Sequence, residues 1–136
     1  MKRIFWVSTL SLFLSGCWMH YNDPRPPSPR ASVTTINNNV CVTIEPEGDE
    51  EIVTVRIDEV GNDTNGLAKY DLGIPALKGK CVADFGYKFE AGKSYNFMII
   101  LESPTKRKKG ERPHVRIYGA NFSLLDNDGK LNVRPF

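Results

Sequence analysis

Histidine is scarce in this chain. Only His20 and His114 occur in 136 residues, and that scarcity removes most hydrolytic and metal chemistry at the outset. A serine nucleophile needs a base and a third group to orient the base, yet His114 follows Pro113 in what reads as the start of a strand. A zinc site needs several Cys, His or carboxylate ligands gathered together, and the partners for one are missing. No catalytic set, no metal ligands and no cofactor are therefore expected. Glycine-rich phosphate cradles are absent as well, since Gly110 and Gly119 stand alone. Carboxylates are plentiful, as glycoside cleavage would require, but they gather in turns where solvation is sufficient explanation. The polar loop 61–66 lacks the spacing and the closing acid of a calcium loop. Charge of one sign is missing too. The formal net charge is +2, and Lys2 and Arg3 account for the whole surplus, so no global field argues for a nucleic-acid partner. No stretch shows the apolar periodicity of an amphipathic helix.

One largely apolar region is present, Ile4 to Leu14, diluted by Ser8, Thr9 and Ser11, behind Lys2 and Arg3 and ahead of the small pair Ser15-Gly16. At ~1.5 Å per residue it covers roughly half of a bilayer's ~30 Å core, so residues 1–16 read as a cleavable signal peptide. Leu14-Ser15-Gly16-Cys17 resembles the lipobox of bacterial lipoproteins. The resemblance implies that Cys17 becomes the first mature residue and carries fatty chains, palmitate among them, which together hold a protein durably at a membrane. In that family an aspartate after the cysteine favours the inner membrane. Trp18 stands there instead, which implies the outer membrane, with the protein facing the periplasm.

With Cys17 committed to lipid, Cys41 and Cys81 remain, in a chain bound for an oxidising compartment, and a disulfide between them is expected. Residues 17–30 carry four prolines and read as an extended tether reaching about 40 Å. Trp18 and Tyr21 suit a membrane interface. Residues 31–136 have the length of one domain.

Within that domain the texture is short β-branched runs between turns. Ser32–Ile36 and Val40–Ile44 flank Asn37-Asn38-Asn39, a hairpin pattern. Ile52–Val60 alternates, with Val53, Val55 and Ile57 expected to face the core. The polar stretch 61–66 reads as a loop, and Lys80–Phe85 as the strand holding Cys81. Tyr95–Leu101, the most apolar segment of the domain, suits a central strand covered on both faces. Tyr95, just after the turn Ala91-Gly92, is similar to the tyrosine corner of immunoglobulin-like domains. His114–Leu125 is a strand with a bend at Gly119, and Asp126-Asn127-Asp128-Gly129 turns it into a last strand, Lys130–Val133, which Pro135 limits to an edge. The expectation is an all-β antiparallel sandwich, immunoglobulin-like, of seven to eight strands with one disulfide.

The loudest charge feature is Lys106, Arg107, Lys108 and Lys109, with Arg112 close behind. As a plain surface it is a solvated hairpin tip. As a functional one it is the candidate partner-binding patch, steering toward an acidic protein or toward lipopolysaccharide phosphate. The order of features, Leu14-Ser15-Gly16-Cys17, then Asp23-Pro24-Arg25-Pro26-Pro27, Asn37-Asn38-Asn39-Val40-Cys41-Val42 and Phe89-Glu90-Ala91-Gly92-Lys93-Ser94-Tyr95, resembles small periplasmic lipoproteins of enterobacteria known as type VI secretion immunity proteins. That resemblance implies a non-catalytic protein that binds a toxin effector in the periplasm and blocks it, touching the membrane through its N-terminal lipid and needing no small-molecule substrate. The alternative is a structural or assembly lipoprotein of an envelope or secretion complex.

Overall fold

The computed structural model describes residues 26–136. Cys17, the expected signal peptide 1–16 and residues 17–25 of the expected tether lie outside the described residues. The hairpin forms where the asparagines predict it. β1 (Ser32–Ile36) pairs antiparallel with β2 (Asn39–Thr43) across Asn37 and Asn38, whose φ values of 50° and 62° lie in the left-handed region that asparagine tolerates. The other strands form one six-stranded antiparallel sheet: β3 (Glu51–Glu59), β4 (Asn62–Lys69), β5 (Ile74–Pro75), β6 (Ser94–Glu102), β7 (Val115–Asn127) and β8 (Lys130–Pro135). Its order is β4-β3-β6-β7-β8, with β5 joining the start of β3. The expected all-β sandwich-like fold with eight strands is what the chain adopts.

One face of the sheet is buried. Val55, Ile57, Tyr95, Ile99, Leu101, Phe122 and Leu124 are fully enclosed there, beneath Val42 and Ile44 of the hairpin and Val82 of the irregular stretch that follows β5. The second layer is thus a hairpin plus irregular chain, and the disulfide ties those two parts together. Cys41 and Cys81 are bonded, with Cα atoms 5.0 Å apart, and beside them the Val82 amide donates to the Val42 carbonyl at 2.7 Å.

Several sequence expectations need correction. Lys80–Phe85 is not a strand: after its one backbone bond to β2 the chain turns at Phe85 and Gly86, both at positive φ. Residues 62–66 belong to strand β4, not to a loop, because a sheet-edge strand needs backbone partners and no apolar row. In β3 a bulge between Ile52 and Thr54 inserts Val53 as an extra residue, so Ile52 takes the place in the core row that alternation assigns to Val53. β6 is central in the sheet but is deeply buried on one face only, with Asn96 exposed on the other. β7 runs through Gly119 without a break. Tyr95 behaves as a tyrosine corner: its hydroxyl accepts from the Glu90 amide at 2.8 Å, and its ring meets Phe89 edge-on at 5.0 Å.

Candidate functional site: the basic helix and its mount

The basic run forms a helix, not a hairpin tip. α1 (Pro104–Lys109) has local reasons to start and stop where it does. Ser103 caps it, its Oγ accepting from the Lys106 amide at 3.2 Å, and Pro104 occupies the first helical position, where no amide donor is required. Gly110 ends it at φ 68°, in the left-handed conformation glycine adopts without strain. The cations of its last turn lie near the negative end of the helix dipole.

This short helix cannot hold itself in place, and the acidic turn between β2 and β3 does so instead. Asp49 accepts from the Ser103 hydroxyl and from the Thr105 amide and hydroxyl at 3.0 and 2.6 Å. Those donors, Ser103's first and then Thr105's, hold the Asp49 carboxyl down from its ordinary 3.8 to about 2. The Ser103 amide also donates to the His114 carbonyl at 2.9 Å, joining the helix start to the entry of β7.

The turn is itself pinned by Arg116 of β7. The guanidinium donates to both Glu50 oxygens, at 2.8 Å from Nε and 2.6 Å from Nη2, and Nη2 reaches the Glu45 carbonyl at 2.9 Å. Tyr118 donates its hydroxyl to the same carbonyl at 2.7 Å. The Glu50 side chain is 6% exposed and that of Arg116 14%, so the pair is held away from most solvent. Burial pushes the Glu50 carboxyl up, but the bonds from Arg116 and from the Glu47 amide outweigh it and leave the carboxyl below its usual range. Glu50 in turn raises the Arg116 guanidinium above its ordinary value.

The predicted patch residues Lys106, Arg107, Lys108, Lys109 and Arg112 are therefore gathered on one helix and its exit, all exposed. Arg107 is paired to Glu102 at 2.6 Å. The other four have no acidic partner within ion-pair distance among the described residues. A cleft of about 460 Å³ opens beside Lys106, walled by Pro27, Pro29, Glu47, Pro113 and His114. The Nδ1 atom of His114 is buried there with no hydrogen-bond partner.

The tether's last residues make the other wall of that cleft. Proline cannot donate to a ladder, but its carbonyl can accept. Pro27 and Pro29 accept from the amides of Ile117 and Gly119 at 2.9 and 3.2 Å, and the Ala31 amide donates to the Gly119 carbonyl at 2.9 Å. Arg30 pairs with Gly119 in parallel. The expectation of an extended tether through residue 30 is corrected at its end: residues 27–30 lie along the β7 edge that β8 leaves unpaired. Because the pairing is parallel, Pro27 lies toward the end of the sheet where β7 begins, beside α1.

At the opposite end Glu59, buried to 7% exposure, is paired to Lys93 at 3.1 Å and accepts from the side-chain Nδ2 groups of Asn65 and Asn62 at 2.6 and 3.2 Å. Asn65 first, then Lys93, holds its carboxyl below the usual range. These groups are saturated by one another and close the β3–β4 hairpin. Of the predicted site residues, then, Cys41 and Cys81 are joined and the cations are assembled, while Cys17 lies outside the described residues. The mount itself, Asp49, Glu50, Ser103 and Arg116, carries one readable sign in the sequence, the Ser103-Pro104 helix start.

A family model described as a domain of unknown function, DUF7480, matches residues 28–127. No curated protein matches the chain, and no solved structure does.

Proposed function

The chain belongs to the DUF7480 family, and we propose that it is a lipoprotein, anchored through Cys17 in the outer membrane and facing the periplasm, that binds and neutralises a secreted antibacterial effector without catalysis. The observation that carries this reading is the seating of Pro27–Ala31 on β7. It turns the end of a leash into a fixed mount, so that one end of the strands leads to the anchor and the other is held out from it. A neutralising protein needs only a complementary surface presented rigidly where its partner arrives, because a preorganised surface loses little freedom on binding.

The outward end consists of the turns at Asn37–Asn38, Val60–Gly61 and Asp128–Gly129. Ile36, Val60 and Leu125 stand near it at 53%, 50% and 43% exposure. Apolar side chains among polar turns are what a modest protein interface uses. The test is a co-culture. Cells lacking the gene are grown with siblings that deliver the protein encoded beside it, and they are expected to die unless the gene is restored. Equal survival removes the reading, and recovery of the protein in a resident envelope complex replaces it with an assembly role.

A further inference from the structure

The cations of α1 lie at the opposite end of the strands from the turns at Asn37–Asn38, Val60–Gly61 and Asp128–Gly129. The chain enters the sheet beside Ile117, and the cleft wall shared by Pro27, Pro29, Lys106 and His114 puts that entry next to the helix. The stretch from Cys17 to Pro26 spans about 30 Å when extended as polyproline, so α1 lies within reach of whatever surface holds the anchor. We propose that the α1 end is a membrane-contact surface, with Lys106, Lys108, Lys109 and Arg112 bound to the phosphates of anionic phospholipid. This rests on the lipid anchor at Cys17.

Charge favours that occupant. Asp49 is occupied by the donors of Ser103 and Thr105, and Glu102 is engaged by Arg107. Asp49, Glu47 and Glu111 are the exposed acids near the helix, against the four unpartnered cations Lys106, Lys108, Lys109 and Arg112. Exposed charges act over about 8 Å at physiological salt, so such a patch is ineffective on a freely diffusing protein. On a tethered one it is not, because the tether supplies an effective concentration in the millimolar range. Lipid chains and a polybasic patch then act as two cooperating anchors. The contact fixes which way the domain faces: α1 down, the turns at Asn38, Val60 and Asp128 outward.

The lipidated protein, extracted and reconstituted into vesicles, tests this by lysine acylation read out by mass spectrometry. On phosphatidylcholine vesicles containing phosphatidylglycerol, Lys106, Lys108 and Lys109 are expected to react about fivefold more slowly than on phosphatidylcholine alone. Lys130, which opens β8 beside the turn at the other end, reacts equally on both. The protection disappears near 1 M salt, where screening shortens to about 3 Å. Equal rates for the α1 lysines on both vesicles overturn the proposal. So does protection that inorganic phosphate alone reproduces, or that appears only when an acidic protein is added. A protein that fails to stay with any vesicle refutes the anchor itself, an outcome distinct from anchored protein with unprotected lysines.

Discussion

Arg116→Met is the sharpest perturbation of the mount. It removes the two bonds that satisfy Glu50, the bond to the Glu45 carbonyl and a partner of Tyr118, while keeping most of the side chain's volume. What remains is a carboxylate at 6% exposure with only the Glu47 amide, at 2.6 Å, directed at it. Breaking a buried ion pair on one side costs ~3–5 kcal/mol. The adjoining cleft lets water reach part of this pair, so the lower end applies, about 3 kcal/mol. For a domain of this size that lowers the melting temperature by roughly 10 °C. Thermal unfolding followed by circular dichroism measures it, and Glu50→Gln in the same background should recover part of the loss, because the stranded charge is then gone. A loss below about 1 kcal/mol, the range of ordinary surface ion pairs, or no recovery in the double variant, would refute the claim that this pair pins the turn.

The paired variant Cys41→Ala, Cys81→Ala frees a loop spanning 40 positions, and the chain-entropy relation puts the loss at ~4 kcal/mol; denaturant titration should show the midpoint falling by a large fraction of the total. Asp49 sets an acid limit. Its carboxyl is lowered from 3.8 to about 2 in the folded protein, so its contribution is complete above the unfolded value and is lost as pH falls through about 2. Stability measured from pH 5 down to pH 2 should therefore decline less steeply in Asp49→Asn than in the parent. Replacing Lys106, Lys108, Lys109 and Arg112 with serine should leave melting unchanged within about 0.5 kcal/mol, since these side chains are exposed and unpaired.

Much of the domain is legible because short-range chemistry dictates it. Asn37-Asn38 supplies the left-handed pair a tight hairpin requires, and Asp126-Asn127-Asp128-Gly129 does the same between β7 and β8. The disulfide follows once Cys17 is set aside, and Tyr95 announces its corner by its place after Gly92. The misreadings share a cause. Strand β4 is made by backbone pairing at a sheet edge, where Asn62, Asp63 and Asn65 serve as well as valine, so composition hides it. The bulge at Val53 shifts a row by one residue and leaves no trace in the alternation. Lys80–Phe85 reads as a strand because Cys81-Val82 is apolar, yet its one backbone bond to β2 is followed by a turn.

The helix was detectable, since Ser103-Pro104 ahead and Gly110 behind mark its ends, but the four cations between them draw attention to charge instead of conformation. The Arg116–Glu50 pair joins residues 66 positions apart, and nothing local in either residue selects the other. The seating of Pro27 and Pro29 was hidden by the rule that proline leaves ladders, which holds for its missing amide and not for its carbonyl.

The proposed protective role, orientation and membrane contact all depend on the proposed fatty chains at residue 17. Metabolic labelling with palmitate, followed by fractionation of cells carrying the native chain or Cys17→Ser, addresses this directly. The native protein should be labelled and recovered with the outer membrane, and the variant unlabelled. An unlabelled native protein recovered in a soluble fraction would contradict the account.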